Sequence, residues 1–402
     1  MEPLDLMARL PGRVRNALVT LHGAGEEAYL VGGAVRDLLL GRPVRDFDLA
    51  TGASAERLAE LFPRATPHGS FGTIAIDTDV EITRFRADGP YHDGRHPSAV
   101  RFGVSLAEDL TRRDFTINAI AFGYGRKGAA AIVDPLKGRA DLTARRLRAV
   151  GSPAERFAED TLRILRAYRI AAALGFSIEP ATREAMRTAV PALATVSNPR
   201  VGIEVVRGLR SNDPRAMFEA MIADHAIDYV LPTTQLSDDA LLAVSKLPGH
   251  DPELRLAALL VGASAESRTA ALDRLDVSRE ERRRIIGLTD PLPARVTPAA
   301  ARDRIALIGR DEGARLARLL RAFPNGSAAA KTIEGVCGDR SAIGRSELNI
   351  RATELAELAN VEGAALGDLI RALVAIVHAD PSLNDPRQLR NIVRTLRSTP
   401  GA

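Results

Sequence analysis

The sequence predicts an α/β head over residues 1–145 followed by a long all-α extension. Three observations predict it. Up to about residue 145, short strand-like apolar runs alternate with helical stretches. Beyond residue 150 there is almost no strand signal, and amphipathic runs are punctuated by Pro and Gly. Between residues 28 and 51, a strand, a Gly-Gly turn, a helix and a second strand carrying Asp-x-Asp follow one another.

The first of these, Ala28–Val31, is a short apolar strand. Gly32-Gly33 lets the chain turn tightly into a helix starting near Ala34, whose free N–H groups can receive a phosphate, with Arg36 one turn in. In the strand Phe47–Ala50, side chains alternate faces, so Asp46 and Asp48 point the same way while Phe47 and Leu49 face the core. Asp46 and Asp48 are close enough to share divalent cations. A lone Asp-x-Asp is more often a solvated turn, and a lone Gly-Gly carries little information. Joined in this order, they supply donors for a triphosphate and oxygen ligands for Mg²⁺, as two-metal phosphoryl transfer requires.

Ala55–Phe62 is expected as a helix, and Thr73–Asp77, Glu81–Arg86 and Ala131–Val133 as strands. Glu81 stands between Val80 and Ile82, where it is either a third carboxylate of the metal site or an edge-strand acid facing solvent. Asp77 and Asp79 compete for the same role. Asp88–Pro97, with two glycines and two prolines, is a loop whose His, Arg and Tyr suit a ligand-side position. His92 and His96 are four apart, but Pro90, Gly94 and Pro97 forbid the helix that would join them on one zinc ion. Leu106–Phe122 is expected as a helix. Within it, Arg113, Asp114 and Asn118 cannot share one face, so part of the run packs and part projects, unless it is an ion-paired helix start.

The extension reads as helices at 154–174, 180–189, 200–209, 214–226, 252–261, 279–288, 299–321, 354–359, 366–378 and 386–396. The first carries Glu159-Asp-Thr-Leu-Arg-Ile-Leu-Arg-Ala-Tyr-Arg169, with Leu162, Leu165 and Ile170 on its apolar side. Asp160, Arg163 and Arg166 then succeed one another at i,i+3 along one stripe. Such charges usually make a salt-bridged surface helix. A carboxylate beside a guanidinium also complements the donor–acceptor edge shared by cytosine and adenine, and it opposes that of uracil and guanine.

Composition bounds the partners. A chain of 402 residues, 46% hydrophobic, has room for two to four domains. With 55 Lys and Arg against 51 Asp and Glu, the charge balance is mildly basic, which by itself does not establish a nucleic-acid partner. The single Cys337 excludes an intrachain disulfide and suits a reducing, cytoplasmic setting. No apolar run is long enough for a membrane span, and no signal peptide is expected.

Five ordered motifs, namely residues 30–51 with Asp46 and Asp48, the loop 91–97, Arg112-Arg-Asp-Phe-Thr-Ile-Asn118, Asp134-Pro-x-x-Gly138 and Glu159-Asp-x-x-Arg163, resemble the class II tRNA nucleotidyltransferases and the related bacterial poly(A) polymerases. The resemblance is close over residues 27–180 and looser beyond, through Gly363-x-x-x-Gly367 and Asn384. It implies a polymerase-beta-like head with a mixed sheet (1–145), a helical neck that recognises the nucleotide base (146–212), a helical body (213–310) and a helical tail contacting tRNA (311–402). It implies two Mg²⁺ ions on Asp46 and Asp48, nucleotide contacts from Gly32, Gly33 and Arg36, and ribose recognition by Arg113 and Asp114. Base selection falls to Asp160 and Arg163, helped by Arg166 and Arg169.

The implied activity is addition or repair of the tRNA 3′-terminal CCA from CTP and ATP. Poly(A) polymerase and CC- or A-only addition are the alternatives, and a non-catalytic RNA-binding protein is a third class. Pro67–Thr73 lacks the basic segment usual in the poly(A) branch, and the full loop at 91–97 argues against a CC-only enzyme. Some relatives carry a phosphohydrolase His-Asp dyad after an Ala-Ala-Leu-Leu helix, but here Val261 and Gly262 occupy that place. His250-Asp251 instead reads as a helix start capped by Asp251. No protein partner is indicated.

Overall fold

The computed structural model describes residues 3–68, 72–89, 98–339 and 344–398, and the chain divides into two compact units, Met1–Pro232 and Thr233–Ala402. The loop at 91–97 lies outside the described residues.

In the first unit the strands are β1 (Ala28–Val31), β2 (Phe47–Thr51), β3 (Thr66–His68), β4 (Thr73–Asp77), β5 (Val80–Arg84), β6 (Arg86–Asp88), β7 (Val100–Phe102), β8 (Ala121–Tyr124), β9 (Ala131–Val133), β10 (Arg146–Leu147) and β11 (Ser177–Ile178). Seven form one mixed sheet in the order β3-β4-β5-β2-β1-β8-β9, in which β2 and β5 run parallel and the other neighbours antiparallel. The interior strand β1 is buried along its whole length. That burial explains its unbroken apolar run, since both faces are covered. The helices are α1 (Pro3–Arg9), α2 (Gly12–Gly23), α3 (Gly33–Leu39), α4 (Ala55–Leu61), α5 (Leu106–Thr111), α6 (Gly138–Thr143), α7 (Pro153–Glu159), α8 (Leu162–Leu174), α9 (Pro180–Ala189), α10 (Asn198–Leu209) and α11 (Pro214–Ala223).

Three expectations are corrected here. The run 106–122 is not one helix. It is α5, then a single 3-10 turn at Thr116–Asn118, then β8, which pairs with β1 in the middle of the sheet. Burial of Phe115, Ile117, Ile120 and Phe122 outweighs the local helical pattern. The expected strand 81–86 is split at Phe85, which is buried and whose N–H bonds Thr51 O at 2.7 Å, so β5 ends and β6 begins a separate ribbon with β7. The run 154–174 is broken at Asp160-Thr161 into α7 and α8.

The second unit holds α12 (Asp238–Lys246), α13 (Pro252–Leu260), α14 (Ala265–Arg274), α15 (Arg279–Thr289), α16 (Pro298–Ile308), α17 (Arg310–Ala322), α18 (Ser327–Gly338), α19 (Ala352–Ala359), α20 (Gly363–Ala379) and α21 (Pro386–Ser398). The expected helix 299–321 is two, parted by Gly309 at φ 89°, a left-handed conformation open to glycine. Asp251 caps α13 by accepting the Leu254 N–H at 3.0 Å and also pairs with Arg315, which bears out its structural reading. Leu355, Leu373, Val377, Leu389 and Val393 form a core among α19, α20 and α21. Among the described residues no helix is long and apolar enough to cross a membrane.

Candidate active site

Sheet register brings the carboxylates together. Antiparallel pairing sets Val31 opposite Asp48, and parallel pairing sets Asp48 beside Glu81. The residue after Val31 is Gly32, so the turn into α3 opens directly against the carboxylate strand. Gly32 has φ 72°, and a Cβ there would lie 3.4 Å from Arg113 Nη1 and 3.7 Å from Asp48 Oδ2. Glycine therefore meets both a backbone and a space requirement. Along 46–49 burial alternates as expected, with Phe47 and Leu49 buried and Asp46 and Asp48 exposed, although β2 begins one residue after Asp46.

Asp48 opens to solvent along a cavity and is enclosed by protein on its other sides. This enclosure raises its carboxyl above the usual range; Arg113 opposes the rise, and the negative charges of Glu81 and Asp46 add to it. A divalent cation would relieve that repulsion, so the donor set fits a metal. Among the described residues no group of three or more His, Cys, Asp or Glu converges as a closed ligand cage. Two protein carboxylates would then leave the remaining coordination to phosphate oxygens and water, as is usual for Mg²⁺.

Of the three candidates for a further carboxylate, Glu81 is the one the sheet places beside Asp48. It also meets His68 Nε2 at 3.3 Å. Asp79 is held by Arg13, whose Nε donates to Oδ1 at 2.8 Å, and Asp77 lies 3.7 Å from the same guanidinium.

A cavity of about 330 Å³ is lined by Gly32, Gly33, Asp48, Arg113, Asp114, Asp160, Arg163 and Arg166, together with Arg112, Asn118, Leu162 and Arg200. Eight residues singled out in the sequence thus share one space. Asp114 is buried, and its Oδ2 accepts from Arg166 Nε and Nη2 at 2.8 and 2.6 Å. Its Oδ1 accepts from Phe115 N and Asn118 Nδ2 at 2.8 and 3.0 Å. Burial alone would raise the Asp114 carboxyl, but the Arg166 charge and these hydrogen bonds outweigh it and hold it far below the ordinary range. Asp114 in turn drives the Arg166 guanidinium further up.

Asp160 is not on a helix. It lies between α7 and α8 with φ −147°, and its side chain caps α8 by accepting the Leu162 N–H at 3.1 Å. Arg163 does not pair with it. Its Nη1 donates to Glu159 Oε2 at 2.6 Å and to Arg156 O at 2.9 Å, and its Nη2 donates to Arg112 O at 3.2 Å. Asp160 thus joins the expected stripe from the break between α7 and α8, while Arg163 and Arg166 keep their i,i+3 spacing on α8, and all three line the cavity.

The head of this chain, residues 28–148, matches the family described as "Poly A polymerase head domain", and residues 175–236 match "Probable RNA and SrmB- binding site of polymerase A". Curated relatives include a CCA-adding enzyme of Streptococcus pneumoniae, 43% identical over 58% of this chain and 59% of the relative, and one of Streptococcus mutans, 44% identical over the same shares. The alignment thus spans about three-fifths of these relatives' length. A solved CCA-adding enzyme of Bacillus stearothermophilus, in complex with CTP, superposes with TM-score 0.77 at 26% identity, covering 96% of this chain and 98% of that one. A CCA-adding enzyme of Thermotoga maritima shares the fold at TM-score 0.68 and 20% identity, covering 98% of each chain. Over its head and residues 175–236, this chain is similar to the class II CCA-adding enzyme and poly(A) polymerase family. This family's nucleotidyltransferase head generally uses a divalent metal.

Two residues expected at the nucleotide, Arg36 and Arg169, lie outside the cavity lining. The Arg36 guanidinium stands beside Gly33 but is engaged by Asp37, at 2.9 Å to each carboxylate oxygen, and by Asn118 Oδ1 at 2.8 Å. Arg169 donates instead to the buried Glu204 at 2.5 Å. Burial lowers the Arg169 guanidinium against the opposing pull of Glu204. Sequence reasoning missed Arg200 and Glu204, one helical turn apart on α10. Arg200 Nη2 donates to both Asp160 oxygens at 2.8 Å, and Glu204 sits beneath Arg169 and 3.8 Å from Arg166. Their i,i+4 spacing was a signal, but without the fold nothing tied it to the stripe on α8.

Proposed function

We propose that this protein adds or repairs the 3′-terminal CCA of tRNA, transferring nucleotides from CTP and ATP to the tRNA 3′-hydroxyl with release of pyrophosphate. The observation that carries the reading is one cavity lined both by Asp48 and by Asp160 with Arg163. The carboxylate strand and a base-reading pair thus share one nucleotide-sized space. The curated CCA-adding relatives support the same reading.

Asp46 and Asp48 would hold two Mg²⁺ ions, with Glu81 as the adjacent carboxylate; when bound, the ions supply charge neutralisation at the attacking and leaving oxygens. The Gly32-Gly33 turn presents backbone toward the triphosphate, and Arg36 reaches it by exchanging Asp37 for phosphate. Arg113 and the Asp114 carboxylate face the ribose. Asp160 accepts from the exocyclic amine of cytosine or adenine, while an unengaged N–H of Arg163 donates to the adjacent ring nitrogen. Arg166 ties the ribose side to the base side through Asp114, whereas Arg169 acts from behind through Glu204. Opposed carbonyls on uracil and guanine meet the Asp160 carboxylate with like polarity. The protein thus takes the place of a template, and its single Cys337 fits a reducing cytoplasm.

A tRNA transcript lacking its 3′ end, incubated with Mg²⁺ and with each nucleotide singly and together, tests this directly. The reading predicts CMP addition with CTP alone and a full CCA end with CTP and ATP. A long homopolymer with ATP alone would establish poly(A) synthesis instead, and addition of one kind of residue would establish a partial enzyme.

A further inference from the structure

The second unit carries a groove that the transfer chemistry does not use. It has a volume of about 450 Å³ and runs between one face of α15 and the junction of α16 with α17. Ile286, Leu307 and Ile308 supply its apolar lining, and Arg279, Arg282 and Arg283 lie along the α15 side. We propose that this groove docks an acidic amphipathic helix of a partner protein, seated by its apolar side chains and flanked by its carboxylates.

The groove arises from local packing. Residues 279, 282, 283, 286, 287 and 290 recur at i,i+3 and i,i+4, so they make one stripe along α15. A Cβ on Gly287 would lie 2.7 Å from Ile308 Cγ2, so glycine lets the end of α16 seat directly on that stripe. The chain then turns at Gly309, with φ 89°. Leu307, one residue before Ile308, is 73% exposed, the most exposed large apolar side chain among the described residues. Such a side chain on a groove wall gains from being covered.

The ion pairs fix the sign of the partner. Arg284 is held by Glu253 at 2.8 Å and Glu280 at 2.7 Å, and Arg282 is held by Asp273. Across the groove, Glu312 accepts from Arg315 at 2.9 Å, and Asp290 pairs with Arg268 at 3.0 Å. The Arg279 and Arg283 side chains have no ion-pair partner among the described residues. Both are exposed, one turn apart, and they leave the groove positive.

The walls also set the form of the occupant. Backbone groups of these helices are satisfied within their own turns, so the groove presents no strand edge and reads side chains. The stripe from Arg279 to Gly287 spans about 12 Å, roughly two turns of a docked helix. No aromatic side chain lines the groove, so a nucleic-acid base finds nothing there to stack on.

Fluorescence anisotropy with the full chain tests the assignment, using two labelled peptides of about fifteen residues, long enough to form a helix. Each carries Leu at i, i+3, i+4 and i+7; one fills its remaining positions with Glu and Ala, the other with Lys and Ala. We expect the acidic peptide to bind at least about tenfold more tightly than the basic one, and the double variant Arg279→Glu, Arg283→Glu to reverse that order. Leu307→Asn, at an exposed position outside the core, should weaken the acidic peptide at least about fivefold. Urea midpoints show whether both variants fold. Equal affinity for the two peptides, no saturable binding of the acidic one, or a preference that survives charge reversal overturns the assignment. Displacement of the bound acidic peptide by single-stranded oligouridylate also overturns it and makes the groove an RNA surface.

Discussion

Asp46 and Asp48 show why single residues could be read from the sequence here: period-two alternation fixed their shared face, and burial of Phe47 and Leu49 keeps it. If the pair holds metal, as proposed, Asp46→Asn and Asp48→Asn should each reduce CMP incorporation at least about a hundredfold while tRNA affinity stays within about twofold, because a metal-holding pair gives no phosphate-binding charge. A gel-shift titration beside single-turnover incorporation checks both halves. Arg36 and Arg169 mark the limit of that legibility. Their spacing said which helices they occupy, but whether a guanidinium faces a ligand depends on acids distant in sequence or on a neighbour's rotamer, here Glu204 and Asp37. Arg166 was legible as a cavity residue, yet its principal partner, Asp114, lies 52 residues away. The Asp114 carboxyl is held below its unfolded value, so the pair contributes stability fully present above the unfolded pKa of about 3.9 and lost as pH falls toward the folded value. Arg166→Met should therefore lower the urea midpoint at pH 7, and the gap to wild type should narrow progressively below pH ~4. A gap independent of pH would show that Arg166 acts through packing alone.

At the scale of elements, strands bounded by glycine or aspartate were legible, and β1, β4 and β9 fall where the apolar runs lie. The failure at 106–122 is instructive. Its helical pattern is real for α5, whose Ser105 and Glu108 form a capping box, but nothing local says that the chain must turn at Thr116 to deliver β8 to β1. Gly123 was the available signal. A Cβ there would overlap the Ala28 carbonyl oxygen, because β8 passes β1 at this point without room for a side chain. Gly123→Ala should cost about 1–3 kcal/mol in chemical denaturation, the usual range for an overpacked site. Gly128→Ala, where a Cβ meets nothing, provides contrast: its left-handed φ of 96° adds strain but no overlap. The same logic governs Asp160. A continuous helix was the natural reading of 154–174, whereas the break frees Asp160 to turn its carboxylate to both Leu162 N and Arg200.

For the whole molecule, the charge balance of 55 against 51 is nearly neutral, so any RNA affinity must come from where arginines are placed rather than from their excess. Binding of tRNA should weaken steeply between about 50 and 200 mM salt, as counterions released from phosphates rebind, and filter binding across that range checks it. A flat dependence would point to a partner other than nucleic acid. The head-plus-helices architecture was legible because strand signals stop near residue 150, while the division at Pro232 was not, since helices continue across it without a change in composition. The central claim joins these scales: one cavity performs the transfer and chooses the base, with Asp160 as the acceptor that admits cytosine and adenine. The ratio of kcat/KM for CTP to that for UTP, in wild type and Asp160→Ala, tests it most directly. A buried polar mismatch is worth about 1–3 kcal/mol, so the ratio should fall roughly 5- to 150-fold as UMP incorporation rises against CMP. An unchanged ratio with full activity would contradict the account.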